Sequence, residues 1–543
     1  MTNPMEETGK LGVVVTGSLA EGIKVRLDAS YSVENVKVGS NVVIQGRDSR
    51  FFAVVTDIAL ESSDPSMQFN LPDISDSFLR EALAGTTVYG AVTVEPMLTI
   101  GLDPHSGNQG PMPAKTIPSH FSEVSEASEE DIHSVFGSEA DGGFWIGSPL
   151  DMEARLCLDV NELVKRSNGV FGKSGTGKTF LTRLLLIGIL QSGSASNLIF
   201  DMHNEYGWQG TSESNHSVKG LKQLFNSKVS VFSLDMESAK RRGFSPDHLV
   251  RFGYSDIEPE DIQLLRETLD LTSVSADAAY SLEAYFGNRK WFKEFVLLST
   301  ESMNDLAGKI NVNGAALAAL KRRLERLMRF DFVTENAVED SASMIIERLN
   351  SGQHVVLEFG KHGNNPTAYM LVANILTRRI YDRYQRQKEA AMGDRLKEPP
   401  NLVITIEEAH RFLSSSMADQ TIFGTIAREM RKYNVTLLVV DQRPSDIDEE
   451  VMSQIGTKIA CLLDSGRDID SVLSGVSGGR KLRGVLARLE TRQQALVFGH
   501  AVPMPVVIRT REYGSLESYR ELGPTGLSRT EIDKDIDVLF GPS

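Results

Sequence analysis

The chain has 543 residues, 41% of them hydrophobic and 24% charged, and a formal net charge of −16. At roughly 100–200 residues per domain that length predicts about three domains, and no apolar run approaches the roughly 18 residues a membrane span needs. The acidic balance excludes a protein that coats nucleic acid with its whole surface, leaving only a local basic patch or a channel for such a contact.

Residues 1–10 are polar and acidic, without the basic start and apolar stretch of a secretory signal. Two cysteines, Cys157 and Cys461, are too few for a disulfide framework, and a reduced, cytoplasmic protein is expected. Residues 13–15, 23–27, 41–44, 51–58 and 88–98 are short β-branched runs broken by Gly, Asp and Ser, which predicts a small β-barrel over 1–100. Prolines and then an acidic stretch at 123–130 mark 101–143 as a linker or excursion. From 144 to 500, continuous apolar runs alternate with helical patterns, as buried parallel strands joined by helices do. The strand runs lapse over 244–340, where helical apolar spacing at 262–269, 278–286 and 315–330 predicts a helical insertion. The tail, 501–543, starts with a short apolar run at 506–508 and ends in an acidic, helically spaced segment at 529–539. The fold class is therefore α/β, a parallel-sheet core with a helical insertion behind a small N-terminal β-barrel.

Residues 172–179, Gly172-Lys173-Ser174-Gly175-Thr176-Gly177-Lys178-Thr179, match G-x-x-x-x-G-K-[ST] in full, between an apolar strand and a leucine-rich helix. The glycines let the backbone fold tightly so that its N–H groups face a β-phosphate, and the helix adds its positive N-terminal end. Lys178 reaches the β- and γ-phosphates and the Thr179 hydroxyl is a Mg²⁺ ligand, so ATP and Mg²⁺ are the expected cofactors. A second apolar strand, 402–406, delivers Glu407 and Glu408 at its C-terminal end. Glu407 is assigned to Mg²⁺ and Glu408 to the general base; the plainer reading is that both acids favour the N-terminus of a helix starting near Ala409. A third strand, 435–440, leads to Gln442, which is a candidate to sense the γ-phosphate or to hold the water with Glu408, against a simple turn opened by Pro444. Arg428 and Arg431, three apart, share a helix face. Ring ATPases often insert an arginine into a neighbour's site; Arg431 is the first candidate and Arg428 the second, against a solvated basic helix end. Asp201 and Glu205 are candidates for ordering the Mg²⁺ or its water, whereas His203 and His410 read as structural hydrogen-bonding residues.

Taken in order, these elements resemble the HerA family of hexameric DNA translocases, relatives of FtsK. The residues that carry the resemblance are the P-loop at 172–179, Asp201-Met202-His203-Asn204-Glu205-Tyr206, Ile406-Glu407-Glu408-Ala409-His410, Arg428-Glu429-Met430-Arg431-Lys432-Tyr433 and Gln442-Arg443-Pro444-Ser445. Asn204 and Met430 stand where that family frequently has Gly. The resemblance spans nearly the whole chain and implies a RecA-like core, a barrel that docks partners, and a C-terminal segment bracing the neighbouring subunit. It further implies a homohexamer with ATP sites between subunits, double-stranded DNA through the centre, and a NurA-type nuclease or another effector as partner, in DNA-end processing or phage defence.

Two basic clusters, 478–483 and 321–323, are candidate phosphate contacts, against ordinary solvated surface. The leading expectation is an ATP-driven double-stranded DNA translocase or helicase. The alternative is an ATP-switched scaffold ring that assembles and regulates an effector through the barrel. A monomeric small-molecule kinase accounts for neither the barrel nor the arginine pair.

Overall fold

The computed structural model describes residues 9–69, 75, 77–83, 86–102, 110–211, 217–393, 398–418, 421–476 and 478–523. The acidic segment at 529–539 lies outside them. The chain divides into two compact units, one of residues 1–163, 170–178 and 456–511, the other of 164–169, 179–455 and 512–543.

In the first unit the barrel strands run in the order Gly22–Leu27, Lys10–Ser18, Glu123–Glu126, Asn41–Gln45, Ser49–Ser62 and Val88–Gly101, and the last pairs back onto the first. Their alternating side chains fill one interior with Val25, Ile44, Val55, Val94 and Val124. Glu123–Glu126 falls in the stretch expected to be a linker, yet it bonds to both Lys10–Ser18 and Asn41–Gln45. Side chains alternate along a strand, so Val124 faces in while Glu123 and Ser125 face out, and Glu126, on Val124's side but at the strand's end, stays exposed. The acids that disguise the strand lie on its wet face and at its open end. The helix Glu129–Phe136 follows, started by a capping box in which Ser128 and Asp131 exchange bonds.

The same unit holds Thr457–Ala460, Gln494–Gly499, Val506–Thr510, Phe144–Pro149 and Leu156–Leu158, each antiparallel to the next. The connection from Gln494–Gly499 to Val506–Thr510 is too short for a crossover, which is why this part of the expected parallel sheet runs antiparallel. The basic cluster at 478–483 belongs to a helix, Gly479–Leu486, that buries Leu482, Val485 and Leu486. Lys481 pairs with Glu95 of the barrel and donates to Leu19 O at 3.2 Å, and Arg483 pairs with Asp470.

In the second unit six strands lie parallel in the order His248–Leu249, Val229–Ser233, His354–Glu358, Ser196–Asp201, Leu402–Glu407 and Val435–Asp441. The last five are buried at every residue, as strands covered on both faces must be. Lys178–Ser192, Ser341–Asn350 and Pro366–Ala391 are among the helices of this α/β layer arrangement. The helical insertion runs from Pro259–Leu264 to Gly314–Leu327 around Trp291, Phe292, Leu317 and Leu320, all fully buried. Buried Asp261 ties it to the long helix through Asn374 at 2.7 Å and Arg378 at 3.1 Å. In the cluster at 321–323, Arg323 pairs with Asp270 at 2.5 Å and Lys321 donates to Leu298 O. Among the described residues no helix is long and apolar enough to cross a membrane.

Candidate nucleotide site

The first unit carries the P-loop, from Val170 and Phe171 at the end of the strand Asn168–Phe171 to Lys178. Cys461 N donates to Phe171 O at 2.8 Å and Lys173 N to Leu462 O at 3.1 Å, which fixes the loop's root. Gly172 has no room for a side chain, because a Cβ would lie 2.7 Å from Cys461 Cβ and 2.8 Å from Thr176 Oγ1. Gly175 and Gly177 sit at φ 78° and 89°, where L side chains are strained. Thr176 Oγ1 and Lys178 Nζ both donate to Lys173 O, at 2.8 and 2.7 Å, and Lys173 pairs with Asp464 at 3.0 Å. Ser174 is exposed, and Thr179 is half-buried in the first turn of the following helix.

The second unit places carboxylates at the ends of four adjacent strands, in the order Glu358, Asp201, Glu407, Asp441. Asp201 is fully buried and accepts from the N–H groups of Glu205, Tyr206 and Gly207 at 2.7, 2.8 and 3.2 Å, which folds the 201–207 loop around it. Burial and neighbouring Glu358 nevertheless push its carboxyl up to about 7. Asn204 takes the left-handed φ of 59° that a glycine would adopt, and its Oδ1 accepts from Gly360 N at 2.8 Å. His203 is exposed.

Glu407 Oε1 accepts from the Tyr206 hydroxyl at 3.0 Å, and the Tyr369 hydroxyl donates to its backbone O, also at 3.0 Å. Its Oε2 is buried without a partner among the described residues. Burial, then Asp201 and Glu205, push its carboxyl up to about 8. A divalent cation supplies what this group lacks, a partner for the orphaned oxygen and a charge that holds it ionised. The carboxylate of Glu407 and the hydroxyl of Thr179 are hard oxygen donors of the kind Mg²⁺ takes.

Glu408 differs in every respect. It is half-exposed and held at φ 50°, a left-handed conformation costly for a residue with a Cβ. Gln442 Nε2 donates to its Oε1 at 3.1 Å, and His410 Nε2 lies 3.8 Å from its Oε2. His410 is clamped from behind: its backbone N donates to Asp441 Oδ2 at 2.8 Å and its Nδ1 lies 3.0 Å from the same oxygen. That bond to Asp441 raises the imidazole above its ordinary value, while burial works against it. Asp441 itself resists burial through its bonds from His410 and the Arg443 amide, which keep its carboxyl below the usual range. Sequence reasoning assigned no role to Asp441, Tyr206 or Tyr369. Asp441 had a signal, a third strand ending in an acid, and Tyr206 stood in the 201–206 motif without a role; Tyr369 had none.

Of the two arginines, Arg428 is half-buried in the helix Ile422–Glu429 and donates to Ala418 O at 3.2 Å. Arg431 is exposed in the following 3₁₀ turn, and its guanidinium has no partner among the described residues.

A family model described as "Helicase HerA, central domain" matches residues 144–380, and one described as "HAS barrel domain" matches residues 11–105. Proteins named DNA double-strand break repair helicase HerA are among the similar curated proteins. That of Pyrococcus furiosus is 24% identical over 443 residues, covering 77% of this chain and 76% of its own length. That of Saccharolobus solfataricus is 23% identical over 485 residues, covering 87% of each. That of Sulfurisphaera tokodaii is 22% identical over 541 residues, covering 97% of this chain and 99% of its own. Matches to the HerA central domain and to the HAS barrel, HerA relatives aligned along most of their length, and a complete P-loop make the chain a HerA-like P-loop ATPase.

Proposed function

We propose that this chain is an ATP-driven motor that translocates along or unwinds double-stranded DNA as a homohexameric ring. The observation that carries the chemistry is the contrast at the end of the strand Leu402–Glu407. Glu407 is buried with one carboxylate oxygen unpartnered, while Glu408 is half-exposed and held by Gln442. In this reading the P-loop amides and Lys178 bind the β- and γ-phosphates of ATP, and Thr179 and Glu407 hold Mg²⁺. Bound Mg²⁺ neutralises phosphate charge and polarises the γ-phosphoryl group. Glu408 takes a proton from water as the water oxygen bonds to the γ-phosphorus and the bond to the bridging oxygen breaks, leaving ADP and phosphate. Gln442 orients Glu408 and that water. His410, clamped by Asp441, stands behind the second oxygen of Glu408. Arg431 enters the neighbouring subunit's site and stabilises the charge on the transferred group, as its exposed and unpartnered guanidinium permits. The barrel docks a nuclease of the NurA type, or another effector, in DNA-end processing or phage defence.

A second reading, the ATP-switched scaffold ring, is favoured by one specific observation. Lys481, Arg483 and Arg323, candidate DNA contacts, are already engaged by Glu95, Asp470 and Asp270. The ATPase rate with and without linear duplex DNA, measured alongside native mass, separates the two. A hexamer strongly stimulated by DNA supports the motor. A hexamer whose rate ignores DNA overturns it in favour of the scaffold.

A further inference from the structure

We propose that Arg183 is a positioning residue that makes the geometry of Glu407 depend on docking of the segment 512–523. The proposal rests on the reading of Glu407 as the metal carboxylate.

Arg183 lies one turn beyond Thr179 on the helix Lys178–Ser192 and is fully buried. Burying a guanidinium is costly unless it is paired, yet Arg183 forms no ion pair among the described residues. Its Nη2 donates to Glu205 O at 2.5 Å, while Nε and Nη1 are buried without partners among the described residues. Three aromatic rings surround the charge instead: Phe180, Tyr513 and Tyr206, with centroids 5.2, 5.6 and 5.9 Å from its Cζ. A side chain that merely filled this space would be apolar, as Leu181, Leu184, Leu185 and Leu186 beside it are. The charge brings a directional bond that leucine lacks.

That bond lands one residue from the site. Arg183 holds the carbonyl of Glu205, and the next residue, Tyr206, donates to Glu407 Oε1 at 3.0 Å. The clearance is tight, since a Cβ on Gly210 would lie 2.0 Å from Arg183 Nη2. On its other side the cage is completed from the C-terminal segment. Tyr513 donates its hydroxyl to Lys219 O at 2.5 Å, Lys219 N donates to the Tyr519 hydroxyl at 2.9 Å, and Gln191 Nε2 donates to Leu522 O at 2.9 Å. Withdrawing Tyr513 removes one wall of the cage. Water then competes for the guanidinium, the hold on Glu205 loosens, and Tyr206 loses its register on Glu407.

The test uses the full chain with Arg183→Met, Arg183→Lys, Tyr513→Ala and the double variant Arg183→Met/Tyr513→Ala. Three quantities are read well below each melting temperature: ATP affinity by equilibrium binding, kcat with its Mg²⁺ half-saturation, and hydrogen exchange of the 203–210 amides. Arg183→Met is expected to keep ATP affinity within about twofold, to lose about tenfold in kcat or in apparent Mg²⁺ affinity, and to exchange the 203–210 amides faster. Arg183→Lys should recover part of the loss, Tyr513→Ala should reproduce it, and the double variant should be no worse than the worse single variant. A folded Arg183→Met with wild-type kcat, Mg²⁺ dependence and exchange overturns the proposal, as does strict additivity in the double variant. If Arg183→Met does not fold, Arg183→Lys and Tyr513→Ala carry the same comparison. A wild type that hydrolyses no ATP refutes the reading of the site itself, a different result from a wild type that hydrolyses and an Arg183 variant that matches it.

Discussion

Glu407 and Glu408 are neighbours in sequence and opposites in environment, one buried with an orphaned oxygen, the other half-exposed and hydrogen-bonded by Gln442. Their variants should separate accordingly. Lys178→Ala should abolish nucleotide binding, because it removes the cation that reaches the phosphates. Glu408→Gln should bind ATP normally and lose at least about 100-fold in kcat, the usual worth of a general base. Turnover by Glu408→Gln at the normal rate would refute the base assignment. At this scale much of the candidate site was legible, because the residue types needed for phosphate, metal and water are few and arrive at strand ends in a fixed order. What stayed hidden depends on packing across distant segments. Tyr206 and Tyr369 reach Glu407 from a loop and a helix that are remote in the chain, and no spacing rule marks them.

At the scale of elements, adjacent parallel strands end in Glu358, Asp201 and Glu407, and the charges crowd. Burial and then Glu358 raise Asp201 to about 7; burial and then Asp201 raise Glu407 to about 8. The sign follows directly. The folded protein keeps protons that the unfolded chain releases near its ordinary carboxylate pKa, so this contribution is fully present at low pH and is lost as pH rises through the folded values. Each group costs at most about 1.4 kcal/mol per pH unit in that window. The nucleotide-free protein should therefore melt at a higher temperature at about pH 6 than at about pH 8, and Glu407→Gln should shrink the difference. An unchanged difference in Glu407→Gln would show that the carboxyl is ionised throughout. The barrel's β-branched strands were legible at this scale because an alternating pattern needs only local sequence. Glu123–Glu126 was not, since a single inward Val124 leaves an acidic stretch that reads as solvent-facing linker. The antiparallel direction of Gln494–Gly499 was likewise hidden, because a buried strand has the same composition in either direction.

At the scale of the whole molecule, an arginine that acts across a subunit boundary makes activity a property of pairs. Arg431→Ala subunits keep an intact P-loop and Lys178→Ala subunits keep an intact arginine. Each variant should be inactive alone, and a mixture should recover measurable ATPase activity; an inactive mixture of assembled rings would argue for a role within one subunit. The closed barrel has a different consequence, for biosynthesis. Its sealing strand pairs Val124 with Gly12 and Ile44, long after the other strands have been made. Closing so distant a contact carries a larger entropic cost and is slower than forming a hairpin. A nascent chain that has emerged only through residue 105, the end of the matched barrel segment, still lacks that strand. Until residue 126 clears the ribosome, the edges of Lys10–Ser18 and Asn41–Gln45 stay open, and the barrel is shut by the last of its strands to be made.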